Sequence, residues 1–287
     1  MVGVKYLYTN IRAYMKESVE KQWAIVTGAS KGIGEAIAWE LSRRGWSLLL
    51  VARSEILLHT LCSAIQKSGG IDQNGAKALY LPLDLTHPDS GGELEDYILE
   101  NNLAIDILVN NAGFGSVGEF AQLPREKELQ QIQLNVLALV DLSHRMIPYL
   151  RKRPQGYILN IASTAAFQPG PYMATYYATK AFVLHFSEAL ATEMQASNVS
   201  VTAHCPGATE SEFAAVAGND KTLLFSKYNM IAGRHAVAKH AVNAMLRKKV
   251  VSIFGVLNWF SACLIRFTPR FLVRMLVKQI NFPRDYT

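Results

Sequence analysis

The segment Ala24-Ile25-Val26-Thr27, running into Gly28-Ala29-Ser30-Lys31-Gly32-Ile33-Gly34, constrains the fold more than any other part of the chain. A short apolar run enters a glycine-rich turn. A helical pattern leaves it, with Ile33, Ile37 and Leu41 on one face until Gly45. Glycines permit a tight turn and let the backbone approach a pyrophosphate, whose oxygens the unpaired N–H groups of the helix start can face. The expectation is a strand, a nucleotide-binding turn and a helix.

The same rhythm continues along the sequence. Strands are expected at 48–51, Ala78–Leu83, Ile105–Val109, Tyr157–Ile161, Val199–Cys205 and Val250–Phe254. Helices are expected at Ile56–Ile65, Asp89–Asn101, Leu123–Leu150 (mostly helical), Tyr176–Met194 and Arg234–Arg247. The run Leu48-Leu49-Leu50-Val51 is apolar on both faces, as a parallel strand covered by helices on two sides must be. Strands alternating with helices of this length imply an α/β fold: a single doubly wound parallel sheet of Rossmann type with helices on both faces. At 287 residues and 50% hydrophobic, the chain can bury one large core. The expected division is a nucleotide-binding domain at 22–255, an N-terminal extension at 1–21 and an amphipathic C-terminal extension at 256–287. Ser68–Gly75 reads as an exposed loop.

Charge addresses the choice of nucleotide. An NAD-binding turn places a carboxylate near the end of the second strand to accept from the ribose 2′-OH. Here that end reads Val51-Ala52-Arg53-Ser54. Arg53 can pair with a 2′-phosphate, and Lys31 in the turn can reach the same group, so the charge pattern favours NADP(H).

Other classes find little support. The formal net charge is +6, but the cations are scattered and no basic run interleaves with aromatics, which argues against nucleic acid. Three widely spaced cysteines, Cys62, Cys205 and Cys263, fit neither a disulfide framework nor a metal site. Reduced thiols and a cytoplasmic chain are the expectation. Residues 1–22 lack the continuous apolar core of a signal peptide.

Tyr176 and Lys180 are four residues apart, on one face of an expected helix. At ~4 Å and an effective dielectric of ~20, an ammonium favours a phenolate by about 4 kcal/mol, or roughly three pK units. Desolvation opposes this, but the pair could bring a tyrosine near neutrality, where it serves as a general acid or base.

With this pair added, the sequence resembles the short-chain dehydrogenase/reductase family over about residues 22–255, and is similar to its ketoacyl-reductase-like (DltE-like) branch. The resemblance is carried by Thr27 to Gly34, Asp84, Asn110-Asn111-Ala112-Gly113, Asn135, Ser163, Tyr176, Lys180, and Pro206-Gly207 with Thr209, in the family's order and spacing. It implies a catalytic tetrad of Asn135, Ser163, Tyr176 and Lys180. Tyr176 would protonate the substrate oxygen, Ser163 would hydrogen-bond it, Lys180 would lower the tyrosine pKa and hold the nicotinamide ribose, and Asn135 would bind a water linking Lys180 to solvent. Gly28, Ser30, Gly32, Ile33 and Gly34 would wrap the pyrophosphate. Asp84 and Leu85 would lie by the adenine, Asn111, Ala112 and Gly113 by the adenosine ribose, and Pro206, Gly207 and Thr209 by the nicotinamide. The implied activity is NADPH-dependent hydride transfer to a carbonyl or from a secondary alcohol, in a homodimer or homotetramer. A non-catalytic NADP(H)-binding redox sensor is the alternative.

On the substrate side, Phe167, Pro169, Tyr172 and Met173, with Phe213, Leu223, Leu224 and Phe225 in a loop at 209–234, outline an apolar pocket of the kind a 3-oxoacyl or other apolar ketone would fill. Beyond residue 255, Thr268 and Pro269 read as an N-cap and first helical residue. Arg266, Arg270, Arg274 and Lys278 then recur every four residues among apolar side chains. Such a helix can lie on an anionic membrane, cover the substrate mouth or pack on a partner subunit.

Overall fold

A computed structural model of the chain describes residues 22–68, 77–210 and 232–282. The expected N-terminal extension 1–21, most of the loop at 68–75, and Phe213, Leu223, Leu224 and Phe225 lie outside the described residues.

Seven parallel strands form one sheet: β1 (Trp23–Thr27), β2 (Ser47–Ala52), β3 (Ala78–Pro82), β4 (Ile105–Asn110), β5 (Gly156–Ile161), β6 (Val199–Cys205) and β7 (Val251–Ile253), in the order β3-β2-β1-β4-β5-β6-β7. The order reverses at β1, which pairs with β2 on one side and β4 on the other: Ile25 lies opposite Leu49 and Leu108. The connecting helices are α1 (Gly32–Arg43), α2 (Glu55–Lys67), α3 (Ser90–Glu100), α4 (Arg125–Ile132), α5 (Leu139–Arg151), α6 (Ala174–Glu193) and α7 (Arg234–Leu246). Two more, α8 (Val256–Ile265) and α9 (Arg270–Asn281), follow the last strand.

The period-two alternation of each strand divides the core. Ala24, Val26, Leu48 and Leu50 pack with α1, α2 and α7 through Ile37, Leu41, Leu58, Val242 and Met245. Ile25, Leu49, Val51 and Leu108 pack on the other face with Leu94, Ile98, Leu142, Met146 and Leu190 of α3, α5 and α6. This two-sided burial is why the central strands read as unbroken apolar runs.

Polar groups inside the sheet fix the elements that bear the site. Asn110 Nδ2 on β4 donates to Asn160 Oδ1 on β5 at 2.9 Å, and Asn160 Nδ2 donates to Ser187 Oγ on α6 at 2.8 Å. Each is buried, so a lost partner would carry the full desolvation cost. The ladder pins α6 against the centre of the sheet.

Three details differ from the sequence reading. The helix over 123–150 begins at Arg125 and passes through a π-helical stretch, Gln133–Ala138. The helix bearing Tyr176 starts two residues earlier, at Ala174. Thr268 is not the cap of the last helix: its Oγ1 donates back to Leu264 O at 2.9 Å, closing α8, and Pro269 occupies the capping position.

Candidate active site

The C-terminal ends of the strands open into one cleft of about 1200 Å³. A crevice there, at the point where strand order reverses, is where doubly wound sheets bind ligands.

The glycine-rich turn forms one end. Gly28 has φ +62, in the left-handed region that glycine favours, and a Cβ there would fall 2.8 Å from Asn111 Nδ2. Asn111 Nδ2 donates to Thr27 O at 2.9 Å and to Gly28 O at 3.2 Å, and Thr27 Oγ1 accepts from the amides of Asn111 and Ala112. The end of β1 is thus stitched to the end of β4. Gly34 does not line the cleft: it lies behind the turn, where a Cβ would come within 2.3 Å of Gly28 O. The first N–H groups of α1 have no intrahelical partner, as in any helix, no side chain caps them, and Ser30, Lys31, Gly32 and Ile33 line the cleft.

Arg53, at the end of β2, lines the same end, with Asp84 and Leu85 beside it. Burial acts to raise the Asp84 carboxyl. Hydrogen bonds from the Thr86 N–H and hydroxyl, with the Arg53 charge, outweigh it and hold the group below its ordinary value. Asn111, Ala112 and Gly113 form the floor, and Pro206, Gly207 and Thr209 border the far end.

The cleft brings together Ser163, Tyr176 and Lys180 on the β5–α6 wall. Ser163 follows β5 and accepts from Ala165 N at 3.1 Å. Its side chain also hydrogen-bonds the Tyr176 hydroxyl. Lys180 Nζ donates to Ile161 O at 2.8 Å and stands 5.8 Å from the centre of the Tyr176 ring. The pair therefore shares a face of the helix, with the ammonium over the Tyr176 ring. Burial pushes the Tyr176 phenol above its ordinary value, opposed by the Ser163 hydrogen bond. Burial also pulls the Lys180 ammonium down to about 8. At Tyr176 desolvation outweighs the Ser163 hydrogen bond, the reverse of the expected drop toward neutrality.

Asn135 lies in the π-helical stretch, buried behind the cleft and not lining it. Its Oδ1 accepts from Phe114 N at 3.1 Å, and its Nδ2 donates to Phe114 O at 2.9 Å and Thr179 Oγ1 at 3.1 Å. It braces the segment after β4 against the helix that carries Tyr176. π-Turns are frequent at functional sites, but the sequence carries no sign of this one.

The apolar outline is partly redrawn. Met173 lines the cleft, whereas Phe167 and Pro169 border a separate cavity of about 420 Å³. Tyr172 stacks edge-on against Phe282 at 5.4 Å. That end of the cleft is furnished instead by Phe254, just after β7, and by Val256, Leu257, Val277 and Ile280 of α8 and α9. The sequence offered cover of the substrate mouth as one of three placements for the helix after residue 255, but the amphipathic pattern did not choose among them or single out these side chains as lining. Among the described residues, no cluster of His, Cys, Asp or Glu could hold a metal ion.

Comparison with known proteins agrees with this geometry. The short chain dehydrogenase family model matches residues 22–222. A very-long-chain 3-oxoacyl-CoA reductase of Laccaria bicolor is 32% identical over 195 residues, 67% of this chain and 56% of that protein. A 17-beta-hydroxysteroid dehydrogenase type 3 of Mus musculus is 33% identical over 187 residues, 64% of this chain and 59% of that protein. The matched stretch thus spans little more than half the length of these curated relatives. Among solved structures, a short-chain dehydrogenase from Sphingobium yanoikuyae in complex with NADPH superposes with a TM-score of 0.73 at 32% identity, covering 86% of this chain and 94% of that one.

Proposed function

The chain belongs to the short chain dehydrogenase family, and we propose that it is an NADPH-dependent oxidoreductase acting on the carbonyl or secondary alcohol of an apolar substrate. The observation that carries this reading is one cleft with Arg53 and Lys31 at one end and Ser163, Tyr176 and Lys180 at the other.

The residues present fit a dinucleotide. The turn at Gly28 leaves backbone rather than side chain facing the cleft, and the uncapped start of α1 offers N–H donors to a pyrophosphate. Arg53 and Lys31 would meet the 2′-phosphate. NADPH held there would supply the hydride. Asn111 to Gly113 would border its adenosine ribose, and Pro206, Gly207 and Thr209 its nicotinamide end.

The chain's own groups then manage the proton. Tyr176, whose raised pKa keeps it protonated at neutral pH, donates to the substrate oxygen. Ser163, already bonded to the Tyr176 hydroxyl, places that oxygen and polarises its carbonyl. Lys180 holds the nicotinamide ribose. Its lowered pKa lets it exchange a proton near neutrality. Asn135 serves by position, through Phe114 and Thr179.

The apolar side chains at the substrate end, Met173, Leu257, Val277 and Ile280, support a 3-oxoacyl or comparably apolar ketone. The names of the relatives point the same way. A homodimer or homotetramer in the cytoplasm completes the proposal; the exposed Leu129, Ile132, Leu137 and Phe182 on α4, the π-helical stretch and α6 support assembly. A carbonyl panel read by NADPH absorbance, with NADH in parallel, tests the reading. Oxidation of NADPH in preference to NADH supports it. Tight NADPH binding with no turnover across the panel favours the sensor instead.

A further inference from the structure

The last two helices bury very little of their apolar surface. α8 buries only Ala262, and α9 only the stripe Val273, Val277 and Asn281. Ile265 is partly buried, but most of the other large apolar side chains are exposed: Leu257 is 66% exposed, Phe260 61%, Leu264 67%, Phe267 86% and Met275 59%. Trp259, Phe271, Leu272, Leu276 and Ile280 are exposed as well. Soluble monomers rarely leave so many large apolar groups together in water.

Charge says what covers them. Neither helix contains an acidic residue, and Arg266, Arg270, Arg274 and Lys278 are all exposed among the apolar groups. Between Asp220 and Asp285 the chain carries twelve Lys or Arg and no Asp or Glu. A second copy docked through this face would set these cations against the same cations, with no carboxylate in either helix to answer them. An anionic lipid surface answers both features at once: it takes apolar side chains below the headgroups and attracts the cations between them. No helix among the described residues is long and apolar enough to cross a membrane, so the contact is a surface one.

The pair is also tied to the cleft. Val256, Leu257, Val277 and Ile280 line its substrate end. The Tyr177 hydroxyl donates to Asn281 Oδ1 at 3.3 Å, and Asn281 Nδ2 donates to Pro171 O at 3.1 Å, latching α9 to the helix that bears Tyr176. We infer that α8 and α9 dock the protein on an anionic lipid surface and set the substrate end of the cleft against it. The docking stands independently of the proposed reductase activity. The significance of the cleft facing lipid, entry of an apolar substrate from the bilayer, rests on that reading.

The test uses the full chain with vesicles of phosphatidylcholine alone or mixed with phosphatidylglycerol, scored by flotation. The expected result is binding to the anionic vesicles, weakened by salt, with far less on the neutral ones. Charge reversal by Arg270→Glu with Arg274→Glu should lower the apparent affinity about tenfold or more. Trp259→Ser with Phe260→Ser and Phe267→Ser should abolish flotation. Brominated lipid chains should quench tryptophan emission in the wild type more than in Trp259→Phe, which reports α8 below the headgroups. NADPH titration of each variant, read by fluorescence, should be unchanged. That arm separates failure of docking from failure of the cofactor site or of folding. Equal recovery with neutral, anionic and no vesicles overturns the inference. So does a change from dimer to monomer in the triple apolar variant when the wild type does not float, because the face would then be a contact between copies.

Discussion

Arg53→Ala isolates the choice of cofactor. Arg53 sits at the cleft end of β2 and its charge is felt by Asp84, so the substitution removes a cation and leaves a carboxylate facing the same space. A charge-assisted hydrogen bond contributes about 1.5–3 kcal/mol net. A unit charge pair at about 4 Å contributes between about 1 kcal/mol in water and about 4 kcal/mol at a protein surface. Arg53 is exposed, which argues for the lower half of that range. The dianionic character of a 2′-phosphate and the uncompensated Asp84 push the loss back up. The expected loss is about 1.5–3 kcal/mol, or a roughly 10- to 150-fold rise in the NADPH dissociation constant. NADH lacks the phosphate, so its affinity should change by about threefold or less. Fluorescence titration of both cofactors against wild type and variant reads this directly. The wild-type preference should also shrink as salt is raised, since the contact is solvent-accessible. Equal weakening for both cofactors, or an unchanged NADPH affinity, would refute the reasoning.

Further outcomes follow from the packing and titration of the site. Gly34→Ala forces a Cβ to within 2.3 Å of Gly28 O. Overpacking of this kind costs about 1–3 kcal/mol, so a thermal melt should fall by roughly 2–12 °C, and NADPH affinity should fall with it because the turn must shift. Lys180 is lowered from an ordinary 10.5 to about 8. Between those values the unfolded chain binds more protons than the native one, so this group's contribution to stability is present above about 10.5 and is lost as pH falls to about 8. At neutral pH it is a cost of about 3 kcal/mol, partly offset by the hydrogen bond to Ile161 O. Lys180→Met should therefore melt no lower than wild type at pH 7 and lose that relative advantage as pH approaches 10. A constant gap between the two melting curves across that range would count against the assignment.

The parts of this molecule that could be read in the sequence are those where local chemistry and global position coincide. Leu48 to Val51 announced a strand because both faces of β2 are buried. The glycines of the turn announced a tight turn because side chains there would collide with Asn111 or, at Gly34, with Gly28 behind the cleft. Residue type did not announce orientation. Asn135 carries the expected identity, but its amide bonds Phe114 and Thr179 and does not line the cleft, and the π-helical stretch that holds it left no mark in the sequence. Phe167 and Pro169 are apolar and near the catalytic strand in sequence, but the short helical turn at Thr164–Phe167 carries them to a different cavity. The substrate end was least legible. It is built by α8 and α9, about eighty residues or more after Tyr176, and only the fold brings Val277 and Ile280 to the cleft. Spacing placed Tyr176 and Lys180 on one helix face, as the structure has them, but it could not weigh burial, which dominates both pKa values.

The most direct test of the central claim is the rate of NADPH oxidation by Tyr176→Phe under single-turnover conditions, on a carbonyl that the wild type reduces. Removing the proton donor should lower the rate about 10²- to 10⁴-fold, while NADPH affinity stays within about threefold of wild type. A variant that oxidises NADPH at the wild-type rate would contradict the assignment of Tyr176 as the acid and, with it, the account of the cleft.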